Sequence, residues 1–483
     1  LKAMHQRKRS AVSTAATAII IVIIIIAAAG AYYLYSSSTA PQQSSTTVQP
    51  VTLNLIMFTD PANQWIKWAG QQFALQHPGV TVNVVGQPFG SYIQTEINAE
   101  KTGSSTYDIL GFTSTTALSL LPYLVNLSPV ISINSSDIPY PQLAFGGLYR
   151  NASSGQTEMI GVPYDSSTFT IFYRTDIFDN PSLNASFYEE YHVPLDPHHW
   201  TSWQDAINAD NFLVKETHTV KYGILTDAQQ AHDIIDTFPA IFGYYYARNS
   251  TLNGGTVGGI INYNIMFMGK APPGKPPLPS FNNSAGVQAL EVFYKLVQYD
   301  PQPFSVINYG TIGTTFASGN AAGAIMFTPE NPTLIAPGSN VTGKYSIAEF
   351  PGGYSETGTD FFGVSKYSQH QQLAEQFIQF LINPTINAKL YYQTGEFPIS
   401  KQAVAMINAN QSVPLWERNL VLNVYSTAAT GWANPPNIPP TAPTLIPTFN
   451  SAVYNFLQGD GSVSSAIAAL NQAAAAWAKA VGY

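Results

Sequence analysis

Four carboxylates stand in or beside turns where two of them could meet: Asp60, Asp165, Asp360 and Glu396. A pair of carboxyl groups about 5 to 9.5 Å apart is what cleavage of a glycosidic bond requires, one acting as acid and the other as nucleophile or base. Carboxylates so placed also accept hydrogen bonds from ligand hydroxyls or tie a hinge, and that reading is preferred because nothing else in the chain completes a catalytic set. Gly-x-Ser-x-Gly does not occur, which removes the nucleophile elbow. The 8 histidines form no His-Glu-x-x-His. His198 and His199, beside Pro197 in an expected surface loop, are the one adjacent pair that could ligate a metal. No Gly-Lys-Ser/Thr loop is present to cradle a phosphate. The chain has no cysteine, so disulfides, thiolate metal sites, thiol catalysis and a lipidated cysteine are excluded. Neither a metal nor a cofactor is expected.

Aromatic residues make up 13% of the chain, and Phe58, Phe112, Tyr164, Phe327, Tyr354 and Trp432 fall at expected loop or strand ends. Sugar rings expose apolar C–H faces that stack on aromatic rings, while their hydroxyls need a few fixed polar partners. Asn63 and Thr113, in loops after strands, could supply such partners. So could the turns Gly358-Thr359-Asp360 and Gly395-Glu396. Each aromatic could equally be ordinary core packing. Trp432 lies in TGWANPPNIPP, a Gly/Pro loop in which no core helix explains it.

The elements that must position these groups alternate. Val51–Phe58 (VTLNLIMF) is nearly all apolar, as a strand buried in a parallel sheet should be. A helix from Gln64 to Gln76 carries Ile66, Ala69 and Phe73 on one face and stops at Pro78-Gly79. Val80–Val85 reads as the next strand, Tyr92–Lys101 as a helix with Ile93 and Ile97 in register, and Tyr107–Phe112 as a third strand. This β-α-β-α-β order predicts an α/β doubly wound sheet that binds ligands beyond its strands' carboxyl ends, at Thr59–Asn63 and at 113–115. The more than four hundred residues from Val51 onward exceed one ordinary core, so two lobes are expected. The first crossing is placed at Gly161–Asp165, before a strand from Thr168 to Tyr173. Helices are expected at about 285–299, 371–382 and 464–481.

Ahead of these elements, Lys2, Arg7, Lys8 and Arg9 precede an uncharged apolar run from Ala15 to Tyr35. Roughly 20 such residues suffice to cross a bilayer as a helix. Positive charge on the N-terminal flank places that flank inside and the bulk of the chain outside. Residues 1–35 thus read as a basic N-terminus with an anchor or a cleaved signal, the run's length favouring an anchor. Lys8-Arg9-Ser10-Ala11 also resembles the processing site of pilin-like signals on archaeal surface proteins. Residues 36–50 form a Ser/Thr/Pro-rich tether. A pilin-like structural subunit is the third reading, which a long two-lobed domain opposes.

Only 10% of residues are charged, with a net charge of −8 and no basic cluster beyond the N-terminus, so nucleic acid has little to hold. A surface with few carboxylates also suits acidic surroundings. Asn-X-Ser/Thr acceptors stand at Asn126, Asn134, Asn151, Asn184, Asn249, Asn282, Asn340 and Asn410, glycosylation candidates on an outward-facing domain.

From Val51 to Tyr483 the order of motifs resembles the extracellular solute-binding proteins of the maltodextrin type. FALQHPGVTVNVVGQPFGSY, YDILGF, GVPYDSSTFTIFYRTDIF, FASGNAAGAIMF, FPGG, AEQFIQFLINP and TGEFPISKQA carry the likeness through their order and spacing. The resemblance implies a two-lobed periplasmic-binding-protein-like fold, with 51–163 and about 350–385 in lobe 1, and 164–349 and about 386–483 in lobe 2. It implies a non-enzymatic receptor that closes on a sugar and delivers it to the permease of an ABC importer. Its ligand set would be drawn from Phe58, Asp60, Asn63, Phe112, Thr113, Tyr164, Asp165, Phe327, Tyr354, Thr359, Asp360, Glu396 and Trp432. Phe327 stands where many members have a stacking Trp, Tyr173-Arg174 replaces Tyr-Asn, and Leu252–Pro279 is an insertion without a matching motif. A surface glycosidase, or a receptor for a peptide or polyol, is the alternative.

Overall fold

The computed structural model describes residues 50–59, 63–114, 116–134, 136–144, 146–151, 153–230, 234–253, 266, 278–353, 355–430, 442–480 and 482. The expected anchor and tether, with Asp60, Tyr354 and Trp432, lie outside the described residues. Among the described residues no helix is long and apolar enough to cross a membrane.

The first sheet begins as the alternation predicts. Strand β1 (Val51–Phe58) leads through α1 (Asn63–Gln76) to β2 (Val80–Gln87), then through α2 (Phe89–Lys101) to β3 (Ile109–Thr113). Strand β1 pairs in parallel with β2, Val51 opposite Val80 and Phe58 opposite Gln87, and with β3 on its other side. Because successive side chains of a strand point to opposite faces, β1 serves two cores at once. Leu53, Leu55 and Met57 pack with Trp65, Ile66 and Phe73 of α1. Ile56 and Phe58 pack with Tyr92 and Ile93 of α2. Both faces are thus apolar, which is why the strand reads as a continuous run.

The chain leaves this sheet after β4 (Val162–Pro163) and enters β5 (Thr168–Arg174) of a second. It continues through α3 (Trp203–Asp210), β6 (Tyr222–Thr226), α4 (Ile234–Arg248), α5 (Ser284–Leu296), β7 (Ala321–Phe327) and β8 (Tyr345–Ala348). After β9 (Glu356–Thr357), which pairs with β5, it returns to the first sheet as β10 (Asp360–Val364). The two sheets run β2-β1-β3-β10-β4 and β8-β5-β7-β6. Neither is wholly parallel: β10 is antiparallel to β3, and β5 to β7 and β8. That departs from the uniform doubly wound expectation, because a strand arriving from the other lobe enters the sheet from its opposite end. Phe350, read from sequence as part of the return to lobe 1, packs on Phe169 and Trp203 of the second core. The return comes at Asp360.

Helices α6 (Gln371–Leu381), α7 (Pro384–Thr394), α8 (Lys401–Ala409), α9 (Leu415–Thr430), α10 (Ala442–Leu457) and α11 (Val463–Ala480) complete the chain. Phe377 of α6 stacks edge-on against Phe73 of α1, while Leu470 and Trp477 of α11 join the second core. Helix α7 faces both lobes, since Leu390 belongs to the first core and Ala388 and Tyr391 to a cluster with Phe172 and Ala324 on the other face of the second sheet.

Candidate functional site

Two extended crossings lie side by side between the sheets, at 164–167 and 358–359. They are bonded to each other: Tyr164 N donates to Asp360 O at 3.1 Å, and Asp360 N donates to the Asp165 carboxylate at 3.0 Å. Thr328, at the end of β7, donates to Ser166 O at 2.7 Å and accepts from Thr168 N at 2.9 Å. Gln142 reaches Ser166 Oγ at 2.7 Å from the lobe 1 side. A backbone satisfied this way is an ordered hinge with two strands, not a loose linker. Replacing Asp165 by Ala removes the acceptor of a buried N–H, so a loss of about 1–3 kcal/mol is expected in urea unfolding. Asp165→Asn keeps an acceptor oxygen and should lose clearly less; equal losses would show that the bond to Asp360 is immaterial.

Beyond the hinge, a cavity of about 610 Å³ lies at the carboxyl ends of edge strands β2 and β6. Gly90 at the start of α2 forms its lobe 1 wall. Gln229, Gln230, Ser305, Pro447, Ser451 and Tyr454 form the lobe 2 wall. Its size falls within the roughly 300–1,000 Å³ of small-molecule sites. Among the described residues, amides, hydroxyls and one phenol line it, and no charged side chain does. The lining is preset: Gln229 N donates to Asp227 Oδ1 at 2.9 Å, which fixes the turn after β6, and Gln230 Nε2 donates to Ser451 Oγ. Tyr454 packs edge-on against Phe304. Such a lining suits a neutral ligand rich in hydroxyls.

Residues 52–416 match the family described as Bacterial extracellular solute-binding protein. The chain belongs to this family. It is therefore a binding protein and not an enzyme. The Galactooligosaccharide-binding protein of Bacillus subtilis (strain 168) is 23% identical over 270 residues, 53% of each chain, so the match spans about half the length of that relative. Two solved structures share the fold. The maltose-bound protein of T. maritima is 14% identical, with a TM-score of 0.63, over 88% of this chain and 98% of its own. The GacH receptor of Streptomyces glaucescens, studied with acarbose, is 16% identical, also with a TM-score of 0.63, over 89% and 98%. The two-lobed α/β architecture expected from the motif order is the architecture of these proteins.

In this solute-binding protein the four described aromatics chosen from sequence, Phe58, Phe112, Tyr164 and Phe327, are packing residues. Phe112 is 1% exposed and stacked on Phe361, and Tyr164 is stacked on Phe362 with ring centres 4.0 Å apart. Phe58 is enclosed by Phe89 and Tyr92. Phe327 lies against Phe169, under Gly358, where an added Cβ would sit 2.4 Å from its ring. None offers a free face, because the hinge and α2 cover the strand ends that carry them. Asn63 is buried and donates to Phe58 O at 3.1 Å, tying the start of α1 to the end of β1. Thr113 is half-buried beside Thr116, which also meets the Tyr92 hydroxyl. Asp165, Thr359 and Asp360 are buried in the hinge, and Glu396 is buried just after α7.

His198 meets Asp196 at 2.9 Å and lies edge-on to Tyr173, its Nδ1 3.5 Å from that hydroxyl, while His199 meets Asp196 at 3.7 Å. Among the described residues no group of three or more His, Asp or Glu could hold a metal. The cavity residues Gln229, Gln230, Ser451 and Tyr454 escaped the sequence reading, which placed no strand at 222–226 and no helix at 442–457. A pair of amides two residues after an apolar YGILT strand was the available signal.

Proposed function

We propose that the protein is the receptor of an ABC importer for a neutral sugar or oligosaccharide. It stands on the outer face of the cell membrane on the helix read at residues 15–35. The observation that carries the reading is the cavity whose described lining is amides and hydroxyls, with walls from both lobes. The saccharide ligands named for its relatives agree with it. A ligand that touches both walls only when they approach favours the closed form, and that difference in affinity is the signal a permease reads. The anchor would keep the receptor beside its permease, raising effective concentration without a new contact. Exposed Asn126, Asn134, Asn282 and Asn340 are the acceptors most open to glycosylation in this setting, whereas Asn184 is half-buried and accepts from Leu195 N.

A thermal-shift screen against neutral sugars, polyols and peptides tests the reading, since a ligand bound only to the native state must raise the melting temperature. Neutral saccharides alone should do so. The same saccharide should bind Gln230→Ala roughly 5- to 30-fold more weakly in calorimetry, the equivalent of about 1–2 kcal/mol for a lost hydrogen-bonding partner. Stabilisation by peptides and not by sugars would overturn the assignment.

A further inference from the structure

The solute cavity takes its lobe 2 lining from three separate segments, and one of them is a loop outside the sheet. Ser305 lies in the short turn Phe304–Val306, and its neighbour Phe304 is the ring on which Tyr454, another lining residue, packs. The loop from 300 to 309 therefore sets two points of the lining. Both of its ends are tied to the end of β6 by carboxyl groups. At its start Asp300 accepts from Thr226 N at 3.2 Å, and at its finish the Tyr309 backbone N–H donates to Asp227. Asp227 also accepts from Gln229 N at 2.9 Å, so the same carboxyl fixes the turn that presents Gln229 and Gln230. Within the loop Gln302 Nε2 donates to Val297 O at 3.0 Å and to Asp300 O at 3.3 Å, and Tyr309 lies edge-on to Phe327 of β7.

Asp227 and Asp300 are both buried, and they stand near enough for the charge of one to oppose the charge of the other. None of the ion pairs among the described residues includes either. The titratable groups that face them are Asp210 at the end of α3, whose carboxyl accepts from Ile224 N, and Tyr299, with Lys215 over its ring and Glu216 nearby. The paired strand β7 brings none, since it reads AAGAIMF. Other charged groups of α3 and α5 face elsewhere: Asp205 caps its own helix, Glu291 lies by Tyr245 and Lys295 is exposed. Two buried acids without a cation thus hold the loop, and a proton on the pair relieves their repulsion.

We propose that Asp227 and Asp300 are positioning residues of the solute site, a pair that clasps the 300–309 loop and the turn after β6 into one wall. The inference rests on the sugar-receptor reading above and adds a regulation to it. A solute seated on Gln229, Gln230 and Ser305 covers this wall, and removing water from above the pair favours its protonated form. By linkage, an about tenfold rise in the pair's proton affinity on binding is an about tenfold fall in solute affinity across the titration, so the solute should bind best in acid. Two measurements on the full chain test this. In hydrogen exchange of the ligand-free protein, Asp227→Ala should speed the amides of 226–230 and 300–309 roughly tenfold or more and leave those of Val51–Phe58 unchanged. In calorimetry with maltose, maltotriose and galactobiose, the affinity for the tightest binder should fall roughly three- to tenfold from about pH 5.5 to about pH 8. Asp227→Ala should weaken it about tenfold or more at the lower pH; Asp227→Asn, which keeps an acceptor oxygen, should recover most of that loss and remove the pH dependence. Asp300→Asn should flatten the profile too, a second variant in case Asp227→Ala does not fold. An affinity that stays flat or rises with pH, or wild-type exchange in both segments of Asp227→Ala, overturns the clasp while leaving the sugar receptor standing. Should none of the three sugars bind, the sugar-receptor reading is at fault, and the exchange pattern by itself upholds or overturns the clasp.

Discussion

A melting temperature that falls as pH is raised from about 4 to about 8 is the expected result for this protein. Asp210, Asp227 and Asp300 are buried together around β6. Asp210 accepts from Ile224 N at 2.8 Å and Asp300 from Thr226 N at 3.2 Å, and the second oxygen of each has no hydrogen-bond partner among the described residues. Gly223 makes room for this, since a Cβ there would lie 2.4 Å from Asp210 Oδ1. None of the ion pairs among the described residues includes these three carboxylates. Lys215 instead lies 4.6 Å over the Tyr299 ring, and Glu216 adds negative charge nearby.

Burial disfavours the charged form, so the carboxyls of Asp210 and Asp300 are pushed well above the usual range, Asp300 further by Asp210 and Asp227. Burial raises Asp227 to about 7 against its backbone hydrogen bonds from Gln229 and Tyr309. Glu96, buried under β3, is raised for the same reason. A carboxyl with a folded pKa above its unfolded one holds its proton more tightly in the native state. Its contribution is therefore full below about pH 4 and is lost as pH rises through the folded value. For Asp227 the window runs from about 4 to about 7, worth on the order of 4 kcal/mol. With an unfolding entropy of about 2 cal/mol/K per residue, that is roughly 4–5 °C for a chain of this size, before the other acids add to it. Scanning fluorimetry across pH should show the fall, and Asp227→Asn and Asp210→Asn should each flatten it. A melting temperature that rises with pH would mean these acids are charged and paired. The direction suits a receptor that works in acid, as the sparse surface charge suggests.

The second large effect is expected at Asp137. This buried residue of lobe 1 precedes the short helix Tyr140–Ala144. Its carboxylate accepts from Ser400 Oγ at 3.0 and 2.8 Å and from Gln402 N at 2.8 Å, and its carbonyl accepts from Lys401 N at 2.9 Å and the Tyr425 hydroxyl at 3.1 Å. Those partners sit on or at the start of α8 and α9, whose Ala403, Val404 and Leu420 pack with Phe172 and Leu225 of the second sheet, so one residue clips the lobes together. Hydrogen bonds to a charged group contribute about 1.5–3 kcal/mol each, and removing the charge also strands its partners. Asp137→Ala should therefore cost about 3–5 kcal/mol in urea unfolding, and Asp137→Asn noticeably less. Solution scattering of the alanine variant should also show a broader separation of the lobes. A cost below about 1 kcal/mol with unchanged scattering would reduce Asp137 to a surface cap.

The sequence by itself determined the alternation of the first sheet, because a strand buried on both faces must be continuously apolar and an amphipathic helix must repeat every three to four residues. Strand β1 was legible to the residue, and α1 and α6 to within one. Family membership was legible for a related reason: turns such as His77-Pro78-Gly79 and Thr394-Gly395 are local chemistry, and their order survives in the sequence. What only the tertiary structure decided was which strand ends face the cleft. Phe112, Tyr164 and Phe327 sit where a one-dimensional reading puts a ligand, yet the returning strand β10 and the hinge cover them, and these come from residues more than thirty positions away. Gln229, Gln230 and Ser451 meet in the cavity because β6 and α10 are brought together across more than two hundred residues. Hydrophobic period encodes which face of an element is buried; it carries no record of which distant segment does the burying.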